Sequence, residues 1–321
     1  MRTRSDRLVA VATLGAFVVV AGVLGLVSLY LGAVTQALAE VPRSSPLPDY
    51  PGRPESTVAP DTATPMRYLV LVTDDDGALA SAYLAQMSAQ RDALQLIGVP
   101  ANLLVTDPDR TEMALSGRFA AAGGAGVVRS LESMLGLRID HLVELKLNGF
   151  LSIVDVLGGV DVRNDAEMSA EGWHFPSGDL VLSGAEAKVY LSANRQPLTR
   201  LERTEAVFVE IVRSVVSGDA VTNPAKVEAI GAILHNCLTV DADLTPAEIR
   251  RTALDVHLGS DNIDGKPLPM AGVSRLDGAE VTVVDQPRLA ELVAAMSADE
   301  LGGWAARQTD PWAPLVTLPP R

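Results

Sequence analysis

The segment Met134–Val162 constrains the fold more than any other part of this 321-residue chain. Its sequence, MLGLRIDHLVELKLNGFLSIVDVLGGVDV, shows the apolar patterns of a helix end, a strand, a second helix and a second strand. The predicted second helix has apolar side chains at positions i, i+3, i+4 and i+7: Phe150, Ile153, Val154 and Leu157. Gly158 and Gly159 then end this helix before a strand that begins at Val160. Such a succession predicts a layered α/β domain.

The rest of the chain alternates between predicted strands and helices in the same way. Short apolar runs predict strands at Tyr68–Val72, Leu94–Val99 and Val281–Val284. Longer amphipathic runs predict helices at Val127–Leu135, Leu201–Ser217 and Gln286–Met296. The small residues of Ala120–Gly126 predict a loop. The alternation extends the predicted α/β architecture over most of the chain.

The N-terminal region has the composition of a membrane anchor. Three arginines in the first seven residues precede an uncharged run from Leu8 to about Leu38. That run exceeds the roughly 20 residues that cross a bilayer as a helix. We therefore expect residues 1–39 to form a cytoplasmic tip and one transmembrane helix, with the remainder of the chain outside the membrane. A cleavage-like site at Ala37–Ala39 leaves a removed signal peptide as the alternative.

Composition divides the remainder into predicted segments. Residues 40–65 contain seven prolines among Ser, Thr and Gly, which predicts an extended extracytoplasmic linker without a core of its own. Globular sequence begins at Met66. We expect the α/β domain to occupy residues 66–300 and a C-terminal tail to occupy residues 301–321.

Charge and cysteine content narrow the possible functions. The net charge is −14 and the calculated pI is about 4.7, so nucleic acid is not an expected partner. The single cysteine, Cys237, lies in an apolar stretch, which predicts a buried and unreactive thiol. The four histidines lack metal-ligand spacing, and the sequence contains no P-loop, dinucleotide-binding or G-x-S-x-G motif.

Residues 149–162, GFLSIVDVLGGVDV, resemble the glycine-bounded helix of the LytR-CpsA-Psr family of bacterial cell-envelope proteins. The resemblance runs from about Met66 to Met296. It implies a mixed central β-sheet with helices on both faces. It also implies binding of a polyprenyl-(pyro)phosphate lipid or glycolipid, and transfer of a glycan phosphate to an acceptor, typically peptidoglycan. We therefore expect a single-pass cell-membrane protein whose extracytoplasmic domain meets this lipid, peptidoglycan or other envelope-assembly proteins.

The resemblance also implies roles for individual residues. Asp75, in LVTDDDG, matches a metal-binding carboxylate, which predicts Mg²⁺ as cofactor, with a solvated acidic turn as the alternative. Arg200 and Arg203 match pyrophosphate-binding arginines at the start of a helix. The alternative is a pair of surface arginines that bridge neighbouring glutamates. Arg195 would join the pyrophosphate site if it replaces an arginine that the family carries one position earlier.

Other charged positions of the family pattern are replaced in this chain. Uncharged residues stand where the family carries arginines: Ala80, Ala101, Ser192 and Asn194. Since phosphoryl transfer depends on neutralising charge, these replacements predict a lipid-binding protein with weakened or lost phosphotransferase activity. The alternatives are an active glycopolymer–peptidoglycan phosphotransferase and a non-catalytic scaffold or regulator of envelope assembly.

Overall fold

Strands and helices alternate through the part of the chain that the computed structural model describes, residues 41–56, 63–107, 110–193, 196–217, 223–248, 262–308 and 315–320. The strands are β1 (Met66–Thr73), β2 (Leu79–Met87), β3 (Leu94–Pro100), β4 (Leu104–Thr106), β5 (Glu112–Ala114), β6 (His141–Lys146), β7 (Val160–Asn164), β8 (Met168–Ala170), β9 (Trp173–Phe175), β10 (Gly178–Leu182), β11 (Leu238–Val240), β12 (Ile263–Pro267), β13 (Met270–Leu276) and β14 (Ala279–Val284). The helices are α1 (Leu115–Leu135), α2 (Leu147–Leu157), α3 (Gly184–Ser192), α4 (Pro197–Ser217), α5 (Pro224–Cys237), α6 (Gln286–Ala298) and α7 (Leu301–Ala306).

The central sheet has six strands in the order β11-β6-β1-β2-β3-β12. Strand β1 pairs in parallel with β6 and antiparallel with β2. Strands β3 and β12 are also parallel, whereas β2–β3 and β6–β11 are antiparallel. The predicted mixed sheet is therefore confirmed.

The sheet separates two apolar cores because successive strand residues point to opposite faces. In β1, Tyr68 and Val70 belong to the first core, which contains residues of α2, α3, α4 and α5. Leu69 and Leu71 belong to the second core, which contains residues of α1, α6 and α7. Helices thus cover both faces of the sheet, as predicted.

Helix α1 includes the segment that the sequence predicted as a loop. Gly123 interrupts it with non-helical angles, φ 60° and ψ −161°, and the helix continues on the other side of this kink. At Gly124 a Cβ would lie 2.5 Å from Oε1 of Glu144 on β6. Because glycine has no side chain, α1 can approach β6 closely at this position. The loop prediction is wrong because the small residues on both sides of Gly123 are helical.

Helix α2 confirms the central prediction, with Phe150, Ile153 and Val154 buried in the first core. It ends at Gly158, which adopts the left-handed conformation with φ 92°. At Gly149 a Cβ would lie 2.5 Å from the Cβ of Cys237, so α2 and α5 cross closely at this point.

The predicted linker is partly docked on the domain. Val41 is buried in the first core and Leu47 in the second. Beside edge strand β11, the backbone N–H of Ser44 donates to the carbonyl of Val240 at 2.8 Å. Residues 41–56 of the predicted linker therefore contact both cores of the domain.

The predicted C-terminal tail also contributes to the domain. Trp304 and Leu301 of α7 are buried in the second core. Further on, the N–H of Leu318 donates to the carbonyl of Val273 in β13 at 2.6 Å. Part of the predicted tail thus packs against the domain.

The predicted transmembrane helix, residues 8–38, lies outside the described residues. Within the described ranges, no helix has the length and apolar composition required to span a bilayer.

Candidate functional site

The candidate site lies where β1 ends and helices α3 and α4 begin. Asp75 follows β1 in an exposed turn, and its Oδ2 accepts a hydrogen bond from Nζ of Lys188 at 2.9 Å. Lys188 is fixed on α3, whose first turn is closed by a reciprocal capping pair between Ser183 and Glu186. The carboxylate predicted as a metal ligand is thus paired with a cation from α3.

Arg203 contacts the same helix from another direction. Its guanidinium carbon lies 4.7 Å from the centre of the Tyr190 ring, and its Nη1 donates to the Tyr190 carbonyl at 3.4 Å. Tyr190 is buried and its ring packs edge-on against Phe175 at 5.5 Å. Because Lys188 and Tyr190 are two residues apart, they point to different sides of α3. Asp75 and Arg203 therefore contact different sides of this helix.

Arg200 lies near the sheet side of α4. It is half-buried and lies close to Tyr83, a buried residue of β2. Burial raises the pKa of the Tyr83 hydroxyl, and the positive charge of Arg200 reduces that rise. The predicted partner Arg195 lies outside the described residues, as does Asn194.

Glu205 is a buried carboxyl that the sequence analysis did not identify as a candidate site residue. Its side chain lies between α4 and the β3–β12 pair, where Gly98 and Gly265 leave room for it. The residue is 8% exposed, and its Oε2 has no hydrogen-bond partner. Burial raises the pKa of Glu205 to about 8, and Lys266 opposes that rise. The amphipathic pattern of α4 gave no signal for a buried acid at this position.

The positions that correspond to family arginines carry no charge. Ala80 and Ala101 are half-buried. Ser192 is exposed, and its hydroxyl donates to the carbonyl of Val189 at 3.1 Å. Among the predicted phosphate-binding positions that the structure describes, Arg200 and Arg203 keep their positive charges, and Lys188 of α3 is paired with Asp75.

Within the described part of the chain, no group of three or more His, Cys, Asp or Glu side chains is placed to hold a metal ion. Mg²⁺ is normally held by one or two carboxylates together with substrate phosphates. Asp75 offers one exposed carboxylate, already paired with Lys188. Binding of Mg²⁺ stays a prediction for the lipid-bound protein.

The chain has clear relatives among cell-wall proteins. It is 30% identical over 136 residues to the cell wall biosynthesis protein LcpA of Corynebacterium glutamicum, which covers 40% of this chain and 26% of LcpA. It is 26% identical over 231 residues to the polyisoprenyl-teichoic acid–peptidoglycan teichoic acid transferase TagU of Enterococcus faecalis, which covers 67% of this chain and 75% of TagU. The match thus spans about a quarter of the first relative and three quarters of the second.

Solved structures show the same fold. Bacillus subtilis TagV matches with a TM-score of 0.62 at 16% identity, over 75% of this chain and 98% of TagV. TagT bound to LIIa-WTA matches with a TM-score of 0.60 at 17% identity, over 81% of this chain and all of that chain. The family model for LytR_cpsA_psr matches residues 75–298. This chain belongs to the LytR_cpsA_psr family.

Proposed function

We propose that this protein is a membrane-anchored, extracytoplasmic member of its family that binds a polyprenyl-(pyro)phosphate lipid during cell-wall glycopolymer assembly. We also propose that its phosphotransferase activity is weakened or lost. The supporting observation is that charged side chains near α4 are already paired within the protein and that two arginines of the family pattern are replaced. Arg203 is stacked on Tyr190, Asp75 is paired with Lys188, and uncharged Ala80 and Ala101 stand at two arginine positions of the family.

Phosphoryl transfer is sensitive to such losses. Its catalysis consists mainly of positioning the phosphates and neutralising the charge that develops on them. Removing one preorganised contact of this kind commonly reduces the rate by roughly 10²–10³. Lipid binding requires fewer charged contacts than catalysis, because Arg200 and the first turns of α4 can hold a phosphate without stabilising a transition state.

An active glycopolymer–peptidoglycan phosphotransferase is the second candidate. It is favoured by the relatives, since TagU is a polyisoprenyl-teichoic acid–peptidoglycan teichoic acid transferase. A scaffold or regulator that contacts only other envelope-assembly proteins is the third possibility, and the test below separates all three.

The test uses the full chain in detergent with a defined polyprenyl-pyrophosphate glycolipid, with and without Mg²⁺. Peptidoglycan is included as the acceptor: transfer breaks the P–O–P bond, moves the glycan phosphate to an acceptor hydroxyl and leaves polyprenyl monophosphate. Mass spectrometry detects the monophosphate, while co-purified lipid reports binding. We expect bound lipid without release of the monophosphate. Release that depends on Mg²⁺ would instead show an active transferase. If there is no release and no bound lipid, the proposal is contradicted and only the scaffold remains.

A further inference from the structure

The segment 41–56 runs along the outer edge of the central sheet, beside β11. The backbone N–H of Val240 donates to the carbonyl of Pro42 at 3.1 Å, and the N–H of Ser44 donates to the carbonyl of Val240 at 2.8 Å. Arg43, between these two residues, forms a parallel bridge with Val240. The segment is therefore attached to the sheet edge by backbone pairing.

The direction of this pairing relates the segment to the candidate site. Strand β11 is antiparallel to β6, and β6 is parallel to β1. A segment parallel to β11 therefore runs against β1, starting at the end of the sheet where β1 leads into Asp75. Arg53 lies further along the segment, and its Nη2 donates to the carbonyl of Ile139, just before β6 begins, at 3.1 Å. The segment thus enters at the candidate-site end of the sheet and continues to the opposite end.

Only a short piece of chain connects this attachment to the predicted membrane helix. The uncharged run ends at about Leu38, and Val41 is already buried in the first core. The three residues between these positions span at most about 11 Å, even when fully extended. Strand β1 lies two strands away from β11, which is about 10 Å to the side at roughly 4.8 Å per strand. With a membrane helix at residues 8–38, the end of β1 that leads into Asp75 lies close to the bilayer.

We propose that the segment 41–56 is a rigid strap that holds the Asp75 end of the sheet toward the surface of a lipid bilayer. This inference rests on the membrane anchoring proposed above. A free linker of about 25 residues would span roughly 25–30 Å on average and would let the domain turn in any direction. The strap prevents this turning because Val41 and Leu47 are buried in the two cores and Arg53 is bonded to the far end of the sheet. The headgroup of a membrane lipid can then reach the candidate site while its chain stays in the bilayer.

The charge of the domain does not produce this orientation. The turn after β1 carries Asp74, Asp75 and Asp76, and a bilayer that contains anionic lipids repels such a turn. Lys188 is paired with Asp75 at 2.9 Å, so it compensates the charge of one of these carboxylates. Attachment through the strap, rather than attraction to the bilayer, therefore orients the domain.

Fluorescence quenching of the full chain, reconstituted in lipid vesicles, tests the orientation. A maleimide fluorophore is attached at Asp76→Cys, in the exposed turn between β1 and β2, or at Gln90→Cys, in the exposed turn between β2 and β3. These positions lie at opposite ends of β2, whose nine residues span about 27 Å. Burial raises the pKa of the Cys237 thiol to about 12, so the native cysteine is not labelled at neutral pH. We expect lipids with a nitroxide on the headgroup to quench the label at residue 76 several-fold more strongly than the label at residue 90.

Two insertions separate the strap from other causes of orientation. A flexible insertion of about ten Gly and Ser residues, which spans roughly 17 Å, is placed before Val41. It lengthens the tether and leaves the contacts of the strap with the domain in place, so the difference in quenching between the two labels should disappear. The same insertion after Ser56 lengthens the chain beyond the strap. It should keep the difference, because the contacts of the strap still hold the domain.

The other outcomes separate this inference from the proposed anchoring. Equal quenching of the two labels, stronger quenching at residue 90, or a difference that survives the insertion before Val41 would overturn the strap. Loss of the difference on insertion after Ser56, or at high salt, would also overturn it, since a strap attached by burial is not screened. In all these cases the anchoring stands if alkaline carbonate leaves the protein with the vesicles. Release of the protein by carbonate would overturn the anchoring and the strap together.

Discussion

The guanidinium of Arg53 donates hydrogen bonds to both carboxylate oxygens of Glu132, with Nε 3.0 Å from Oε2 and Nη2 3.0 Å from Oε1. Both side chains are buried, at 5% and 0% exposure. The hydroxyl of Tyr50 donates to the same carboxylate at 2.6 Å. Arg53 and Tyr50 lie in the segment 41–56, and Glu132 lies on α1. A charged pair thus fixes the proline-rich segment to the domain.

Arg53→Ala should destabilise the domain by about 3–5 kcal/mol, because it leaves the carboxylate of Glu132 buried without its cation. Urea denaturation of the full chain measures the loss. Arg163→Ala is the control, since Arg163 and Asp179 are 76% and 89% exposed and 3.7 Å apart. We expect that control to unfold at the wild-type urea concentration. If Arg53→Ala lowers the free energy of unfolding by less than about 1 kcal/mol, the segment 41–56 contributes little to the stability of the domain.

The combined substitution Arg200→Ala and Arg203→Ala should abolish affinity for a polyprenyl pyrophosphate. It removes both positive charges of the predicted site from α4. Calorimetric titration of the full chain with the lipid provides the measurement. The matched control is Arg275→Ala with Arg288→Ala, two exposed arginines on β13 and α6. Equal binding by wild type and the α4 variant would show that the phosphate site lies elsewhere.

Gly265→Ala should destabilise the domain by about 1–3 kcal/mol, since an added methyl group in a filled space forces its neighbours apart. Its Cβ would collide with the carboxyl of Glu205. Gly302→Ala is a suitable comparison because the nearest atom to its Cβ, Nε2 of Gln95, is 3.7 Å away. Thermal unfolding should show a lower Tm for Gly265→Ala and an unchanged or higher Tm for Gly302→Ala. Equal Tm values would indicate that Glu205 moves aside without cost.

Stability should fall with rising pH because of Glu205. Its pKa is raised from 4.5 to about 8 on folding, so between these values the folded protein holds one proton more than the unfolded chain. Stability is then lost as pH rises, by about 1.4 kcal/mol per pH unit. The free energy of unfolding should be measured by denaturation at pH 5, 6.5 and 8 for the wild type and Glu205→Gln. The difference between the two should show this slope, with the variant more stable at pH 8. A difference between wild type and Glu205→Gln that does not change with pH would contradict this assignment.

Much of the fold was predictable where the apolar pattern is unambiguous. Strand β6, helix α2 and strand β7 follow directly from Met134–Val162, and Gly158 ends α2 as expected. Strand β2 was not predicted. Its sequence, LASAYLAQM, is rich in alanine and buried on both faces, so it lacks the alternation of polar and apolar residues that marks a strand.

The candidate site was predictable only in part. The family pattern predicted Asp75, Arg200 and Arg203 as site residues, but not the contacts of Asp75 and Arg203 with α3. The burial of Glu205 was not predicted. Its burial depends on Gly265, sixty positions later in the chain, and local sequence contains no information on such a long-range contact.

Each face of the central sheet has its own core. Tyr83, Arg200 and Glu205 all belong to the side covered by α4, whereas α1, α6 and α7 stabilise the opposite side without them. A substitution confined to the side chains on the α4 side therefore leaves the packing of the second core unchanged, so its effect on stability is limited to the first core.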